Sequence, residues 1–200
     1  MKKNVAILVF DDVEILDFAG PFEVFAVTDE LQQHAAFHTF TLALRPGTVR
    51  ARNGLKIVPD FTLESCPSPH IIIVPGGAGT RPLLHMPALH EWLRVKARSA
   101  EIVMSVCTGA LILARAGLLD GLRATTHHQT FAELRAIGPN VEVTETERFV
   151  DNGKMVTAAG ISAGIDCSLH VIARLLGEHT ADHTARYMEY QRHRTTGSPG

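Results

Sequence analysis

The sequence predicts an α/β fold, a parallel-core sandwich in which strands alternate with helices. Three observations carry this. Short apolar runs and helical periodicities follow one another along the 200 residues. The runs at 5–10, 70–75 and 102–106 are apolar almost throughout, as strands buried on both faces must be. No linker-like stretch or internal repeat interrupts them, so residues 1–200 read as a single domain.

The elements follow in order. VAILVF (5–10) is the first strand. Gly20-Pro21 predicts a break, with a helix over about 22–31 behind it. FHTFTLALR alternates and predicts the second strand, and residues 48–60 a small hairpin turning at Asn53-Gly54. HIIIVP (70–75) is a third core strand ending in Pro75-Gly76-Gly77. Pro87 starts a helix over 86–99. The strand 102–106 runs through Cys107 into a helix opened by Thr108, Gly109 and Ala110. Residues 122–127 predict a further strand, 130–137 a helix, and the stretch around Asn152-Gly153 two or three short strands. SAGIDCSLHVIARLLG is a long helix, nearly all apolar, with Asp166, His170 and Arg174 as its wet stripe. A last helix covers about 180–193, and RTTGSPG reads as a frayed end or short arm.

Composition narrows the function. A hydrophobic content of 46% fills one core, and a net charge of -2 argues against a strongly basic nucleic-acid surface. Asp11 and Asp12 cut the first apolar run too short for a signal peptide, and no stretch approaches a membrane span. Three cysteines cannot all pair, and their spacings match no zinc ribbon. A cytoplasmic setting with Cys107 free is expected.

In such sheets ligands bind beyond the carboxyl ends of the strands. Asp11 to Asp17, Pro75 to Gly79, and Cys107-Thr108 all fall there. Cys107 occupies a strand-to-helix turn, where unpaired amides and the helix dipole favour a thiolate nucleophile of depressed pKa. Asp17 sits among Ile15, Leu16 and Phe18. It is a proton carrier of raised pKa beside the cysteine, a cap for the helix that follows, or the side chain of a loop Asx-turn. Glu14 is a second candidate, whereas Asp11 and Asp12 read as solvated turn residues. Gly76 and Gly77, with the amide of Cys107 or Thr108, offer N–H groups to developing negative charge; the alternative is a plain tight turn. PGGAG fits neither a Walker A loop nor a dinucleotide fingerprint. His127 or His128 would serve as a base for Cys107 or pack beside a turn. His179 and His183 have metal-ligand spacing but no third ligand nearby, so solvated histidines are expected. Cys66 and Cys167 read as inert.

Taken together, LDFAGPFEVF (16–25), VPGGAG (74–79), SVCTGALILARAGLLDG (105–121), ATTH (124–127) and AAGISAGIDCSLHVIARLLG (158–177) resemble the ThiJ/PfpI superfamily. Within it, the chain looks most like isocyanide hydratases and the amidase-like sensor domains of AraC-type regulators. The resemblance implies a class I glutamine-amidotransferase-like, flavodoxin-like sandwich. It places the nucleophile on Cys107, the acidic partner on Asp17, and a neighbouring hydroxyl on Thr108. Oxyanion-type backbone groups fall on Gly76, Gly77 and Thr108, and the frequent site histidine on His127. It also implies a homodimer, for which the apolar helix near Pro21 would supply an interface. TTHHQTFAEL departs from the hydratase-like TTHW pattern, and no helix-turn-helix domain is expected in a chain ending near residue 200. The activity implied is hydration of an isocyanide to an N-substituted formamide, with no metal or organic cofactor. A glyoxalase or amidase-like reaction on a small carbonyl compound, and a non-enzymatic small-molecule or redox sensor, are the alternatives.

Overall fold

Val5, Ala6, Ile7 and Leu8 form the inner part of β1 (Lys3–Leu8) and are buried on both faces of a sheet. The computed structural model describes residues 2–193; the RTTGSPG end lies outside the described residues. After β1 come α1 (Ile15–Leu31) and β2 (Phe37–Ala43). The hairpin strands β3 (Val49–Arg50) and β4 (Lys56–Ile57) precede β5 (Phe61–Thr62), β6 (Ile71–Val74) and the single turn α2 (Thr80–Leu83). Then follow α3 (Pro87–Ser99), β7 (Ile102–Val106), α4 (Gly109–Arg115), β8 (Arg123–Ala124) and α5 (Phe131–Ile137). The last elements are β9 (Glu142–Val143), β10 (Phe149–Asn152), β11 (Met155–Ala158), α6 (Ala163–Leu176) and α7 (Glu178–Tyr187).

Seven strands form the main sheet in the order β10-β11-β7-β6-β1-β2-β5. Every neighbouring pair is parallel except β10 with β11. Parallel neighbours need crossover connections, and most of those here are helical. Helices α1, α6 and α7 pack together as one layer, and α2, α3 and α5 gather around α4 as the other. The fold is therefore the predicted flavodoxin-like α/β sandwich. Its parallel order puts the ends of β1, β6, β7 and β11 side by side. Among the described residues, no helix is long and apolar enough to cross a membrane.

Several predicted boundaries move, each for a physical reason. The first helix starts at Ile15, and Gly20-Pro21 lies inside it. Pro21 brings no N–H to the carbonyl of Asp17, four residues earlier, yet the helix continues because tertiary packing holds it. A Cβ on Gly20 would lie 2.9 Å from Ile165 Cγ1, so α1 and α6 approach closely at this point. The expected strand 122–127 shrinks to Arg123–Ala124 and pairs with β9 outside the main sheet. The Thr125 amide turns away to donate to Thr157 Oγ1 at 3.0 Å. The hairpin turns at Asn53-Gly54 as predicted, both with positive φ (60° and 89°). The expected wet stripe on α6 is corrected at Asp166, which is wholly buried and bonded to Arg148 and Tyr190. Its companions His170 and Arg174 both bind Asp151, so the stripe is a hydrogen-bonded seam joining α6 to β10. The last helix stops at Tyr187, six residues short of the predicted end at His193.

Candidate active site

β7 ends at Val106, and the chain must reverse at once to enter α4. Cys107 makes this elbow with φ at +57°, a left-handed conformation that costs a non-glycine residue of order 1 kcal/mol. Neighbouring strands hold it there. Its N–H donates to the carbonyls of Ala158 and Ala159 at 3.1 and 3.0 Å, and its own carbonyl accepts from Thr126 Oγ1 at 2.8 Å. Gly109 completes the elbow, because a Cβ there would fall 1.9 Å from the Val74 carbonyl oxygen.

Asp17 projects from the first turn of α1 and is fully buried. Its Oδ2 accepts from the Gly76 N–H at 3.0 Å. Its Oδ1 is buried without an aligned hydrogen-bond partner, and the carboxyl lies close enough to the Cys107 sulfur for each to perturb the other's ionisation. Asp17 makes no cap, since the cap position falls on Glu14 and carries no side-chain bond. Burial pushes the Asp17 carboxyl up to about 7, against the lowering pull of the Gly76 amide and the Cys107 thiol. The expectation of a depressed thiol is overturned. Burial, with the Asp17 charge beside it, pushes Cys107 up to about 12, and the amides of Thr108 and Ile161 only partly oppose this. The seven-residue α4 supplies too small a dipole to reverse that balance. The resting pair therefore carries its proton mainly on sulfur, and a thiolate forms as Asp17 takes that proton up. Once protonated, Asp17 no longer opposes the negative sulfur.

The glycine amides have other work than contact with an intermediate. Gly76 N–H is spent on Asp17, and Gly77 N–H donates to Thr108 Oγ1 at 2.9 Å. Thr108 returns a bond to the Gly77 carbonyl at 3.2 Å. The Gly76-Gly77 turn thus ties the acid and the hydroxyl to the elbow, and the amides that favour a negative sulfur belong to Thr108 and Ile161. A Cβ on Gly76 would sit 2.5 Å from the Thr108 nitrogen and 2.9 Å from Asp17 Oδ2. Gly76→Ala is accordingly expected to cost about 1–3 kcal/mol of stability and to displace Asp17. Thermal denaturation beside Cys107 alkylation rates checks this, and an unshifted variant in both would contradict the packing described.

His127 lines the same cavity as Cys107. Its Nδ1 accepts from the Gln129 N–H at 3.3 Å, and its ring stands 4.3 Å from that of His128. Burial and the neighbouring His128 lower its pKa. Among the described residues, no hydrogen bond joins His127 to the sulfur, and the sulfur's ionisation responds to Asp17. The cavity measures about 440 Å³, and Glu14, Arg52 and Arg81 contribute charge to its wall. Arg52 pairs with Glu14 at 2.8 Å and Arg81 with Glu133 at 2.6 Å. Cys66 and Cys167 are buried elsewhere, their thiols pushed up by burial.

Sequence reasoning missed Ile161, Arg52 and Arg81. Ile161 carries no reactive group, and its value lies in a backbone N–H held at φ +48°. The available signal was its position just beyond β11, where the sheet's carboxyl ends meet.

A doubly wound parallel sheet with a cysteine elbow facing a buried carboxyl defines the ThiJ/PfpI class of α/β proteins. The chain belongs to the DJ-1/PfpI family, whose model matches residues 3–174. It is 36% identical to the isonitrile hydratase of Pseudomonas putida, over 95% of this chain and 79% of that protein. It is 28% identical to the HTH-type transcriptional regulator GbdR of Pseudomonas aeruginosa, over 95% of this chain but only 51% of that one. The chain thus spans about half the length of that regulator. A solved THiJ/PfpI family protein from Pseudomonas syringae superposes with a TM-score of 0.86 at 27% identity, covering 100% of this chain and 80% of that one.

Proposed function

We propose that this protein is an isocyanide hydratase that converts R–N≡C to the N-substituted formamide R–NH–CHO, with Cys107 as nucleophile and Asp17 as proton carrier. The observation that supports this reading is the pairing of a buried thiol with a buried carboxyl that has an unfilled oxygen, without a histidine bonded to sulfur. Isocyanide hydration needs one nucleophile and one group that moves a proton, rather than a triad. The identity to an isonitrile hydratase supports the same choice.

In this reaction Asp17 takes the thiol proton as sulfur attacks the terminal carbon and the S–C bond forms. Asp17 returns that proton to the carbon, leaving the thioimidate R–N=CH–S. Water then adds to the same carbon while Asp17 passes one of its protons to nitrogen. The C–S bond breaks, the second water proton returns to sulfur, and the formamide leaves. The amides of Thr108 and Ile161 steady the negative sulfur, while Gly76, Gly77 and Thr108 keep the pair in register. His127 shapes the wall of the cavity. A homodimer in the cytoplasm belongs to this proposal, and sedimentation of the purified protein checks its assembly.

The charged wall favours one second reading, a binding domain that senses a small polar molecule, in line with the likeness to a regulator. Incubation with a panel of alkyl and aryl isocyanides, dicarbonyls and amides separates them. Formamide production is expected from isocyanides. No turnover of any member, with saturable binding of a polar compound, would replace the hydratase by the sensor.

A further inference from the structure

Ile161 holds a left-handed conformation that a β-branched residue rarely adopts, lines the cavity beside Cys107, and carries one of the two N–H groups that favour negative charge on that sulfur. Something must hold it there. On one side of Ile161, the Ala159 N–H donates to the Arg148 carbonyl at 2.9 Å. On the other, Ser162 Oγ accepts from Arg148 Nη2 at 3.2 Å. One residue therefore grips both flanks of the strained position, once through its backbone and once through its side chain. The guanidinium is aimed by Asp166, which is fully buried one turn inside α6 and accepts from Arg148 Nε. Asp166 is in turn closed off by the Tyr190 hydroxyl at 2.9 Å and the His193 N–H at 2.8 Å, both beyond α7. The same alanine pair, Ala158 and Ala159, binds the Cys107 N–H through its carbonyls.

We infer that Arg148 is a positioning residue for the Ile161 amide on the Cys107 sulfur, locked in place by Asp166 and by the segment that carries Tyr190 and His193. The inference rests on Cys107 being the reactive group of the proposed function, but not on the isocyanide as its substrate. Its consequence is that residues remote from the cavity set how readily Cys107 becomes a thiolate. The charged and titratable groups around that sulfur are Asp17 from α1 and, along the cavity wall, Glu14, Arg52, Arg81 and His127. None of them is altered in the test.

Arg148→Ala would strand a buried carboxylate and is a poor probe. Arg148→Lys keeps a charge against Asp166 yet lacks the fork that reaches Ser162 at the same time. Ser162→Ala removes only the second grip and leaves the ion pair whole. The measurement is iodoacetamide alkylation of Cys107 between pH 6 and 10, read by peptide mass spectrometry, with melting temperatures taken alongside. Both variants are expected to react about three- to tenfold more slowly at a fixed pH, with the midpoint of the profile moved up, the size that one ordinary hydrogen bond accounts for. Tyr190→Phe is expected to slow the reaction about twofold, as an outer support of the lock. Profiles of Arg148→Lys and Ser162→Ala that overlie the parent would overturn the inference. So would faster alkylation, whether of Cys107 alone or together with buried Cys167, because that reports a loosened fold. The assay consumes no isocyanide, so failure of the hydratase reading leaves this outcome readable.

Discussion

Cys107→Ser is expected to lower isocyanide hydration by roughly 10⁴-fold or more while the folded structure persists. Serine keeps an X–H donor beside Asp17 and fits the same elbow, but its oxygen is far harder to deprotonate than sulfur. It therefore tests nucleophilicity rather than shape. Cys107→Ala should be as inactive, and Cys107→Gly should be inactive yet as stable as the alanine variant or more so. Glycine adopts φ near +57° without the side-chain penalty. Formamide production by product chromatography, beside thermal melts, checks all three. Residual hydration within tenfold of the parent in the serine variant would remove Cys107 from the nucleophile's role and with it the proposed reaction.

The layers of the fold were legible because the inner strands are apolar on both faces. Ile71, Ile72, Ile73 and Ile102, Val103, Met104 leave no polar face to expose, and only a covered parallel sheet accepts such runs. The helix start at Ile15 was not legible. A Gly-Pro pair is a strong local stop signal, yet the close approach of Gly20 to Ile165 and the seating of Asp17 against Gly76 favour a continuous helix. Of the site, the residues with reactive side chains were legible, since Cys107 and Asp17 stand out at strand ends. The raised pKa of Asp17 was legible from its apolar neighbours, but the electrostatics of Cys107 were not. A turn before a helix argues for an easily ionised thiol, but sequence gives no measure of burial or of the negative partner, and those two dominate. Backbone donors are the hardest to read. Gly76 and Gly77 looked available to a ligand, whereas their amides are spent on Asp17 and Thr108. Ile161 carries no reactive group to mark it in the sequence, yet its amide favours a negative sulfur.

Asp17→Asn is expected to move three observables in different directions. Hydration should fall roughly 10²- to 10⁴-fold, the usual worth of a positioned acid–base group. Alkylation of Cys107 near pH 8 should become faster, because the negative charge that helps push the thiol up to about 12 is gone. Stability should rise, and the sign follows from linkage. The Asp17 carboxyl is raised from 3.8 to about 7 in the folded protein, so the folded state binds its proton more tightly than the unfolded chain does. What that proton contributes is fully present below pH 4 and is lost as pH rises through about 7. Asparagine has nothing to lose over that window, and its amide oxygen can still accept from Gly76. The variant's advantage should therefore be negligible near pH 4 and grow to about 4 kcal/mol above pH 7, near the order of 10 °C in melting temperature. Melts at pH 4, 6 and 8 read this directly. A gain that does not depend on pH would mean that Asp17 titrates normally in the folded protein. Slower alkylation at pH 8 would mean that its charge does not face the sulfur, and either result would remove Asp17 as the proton carrier.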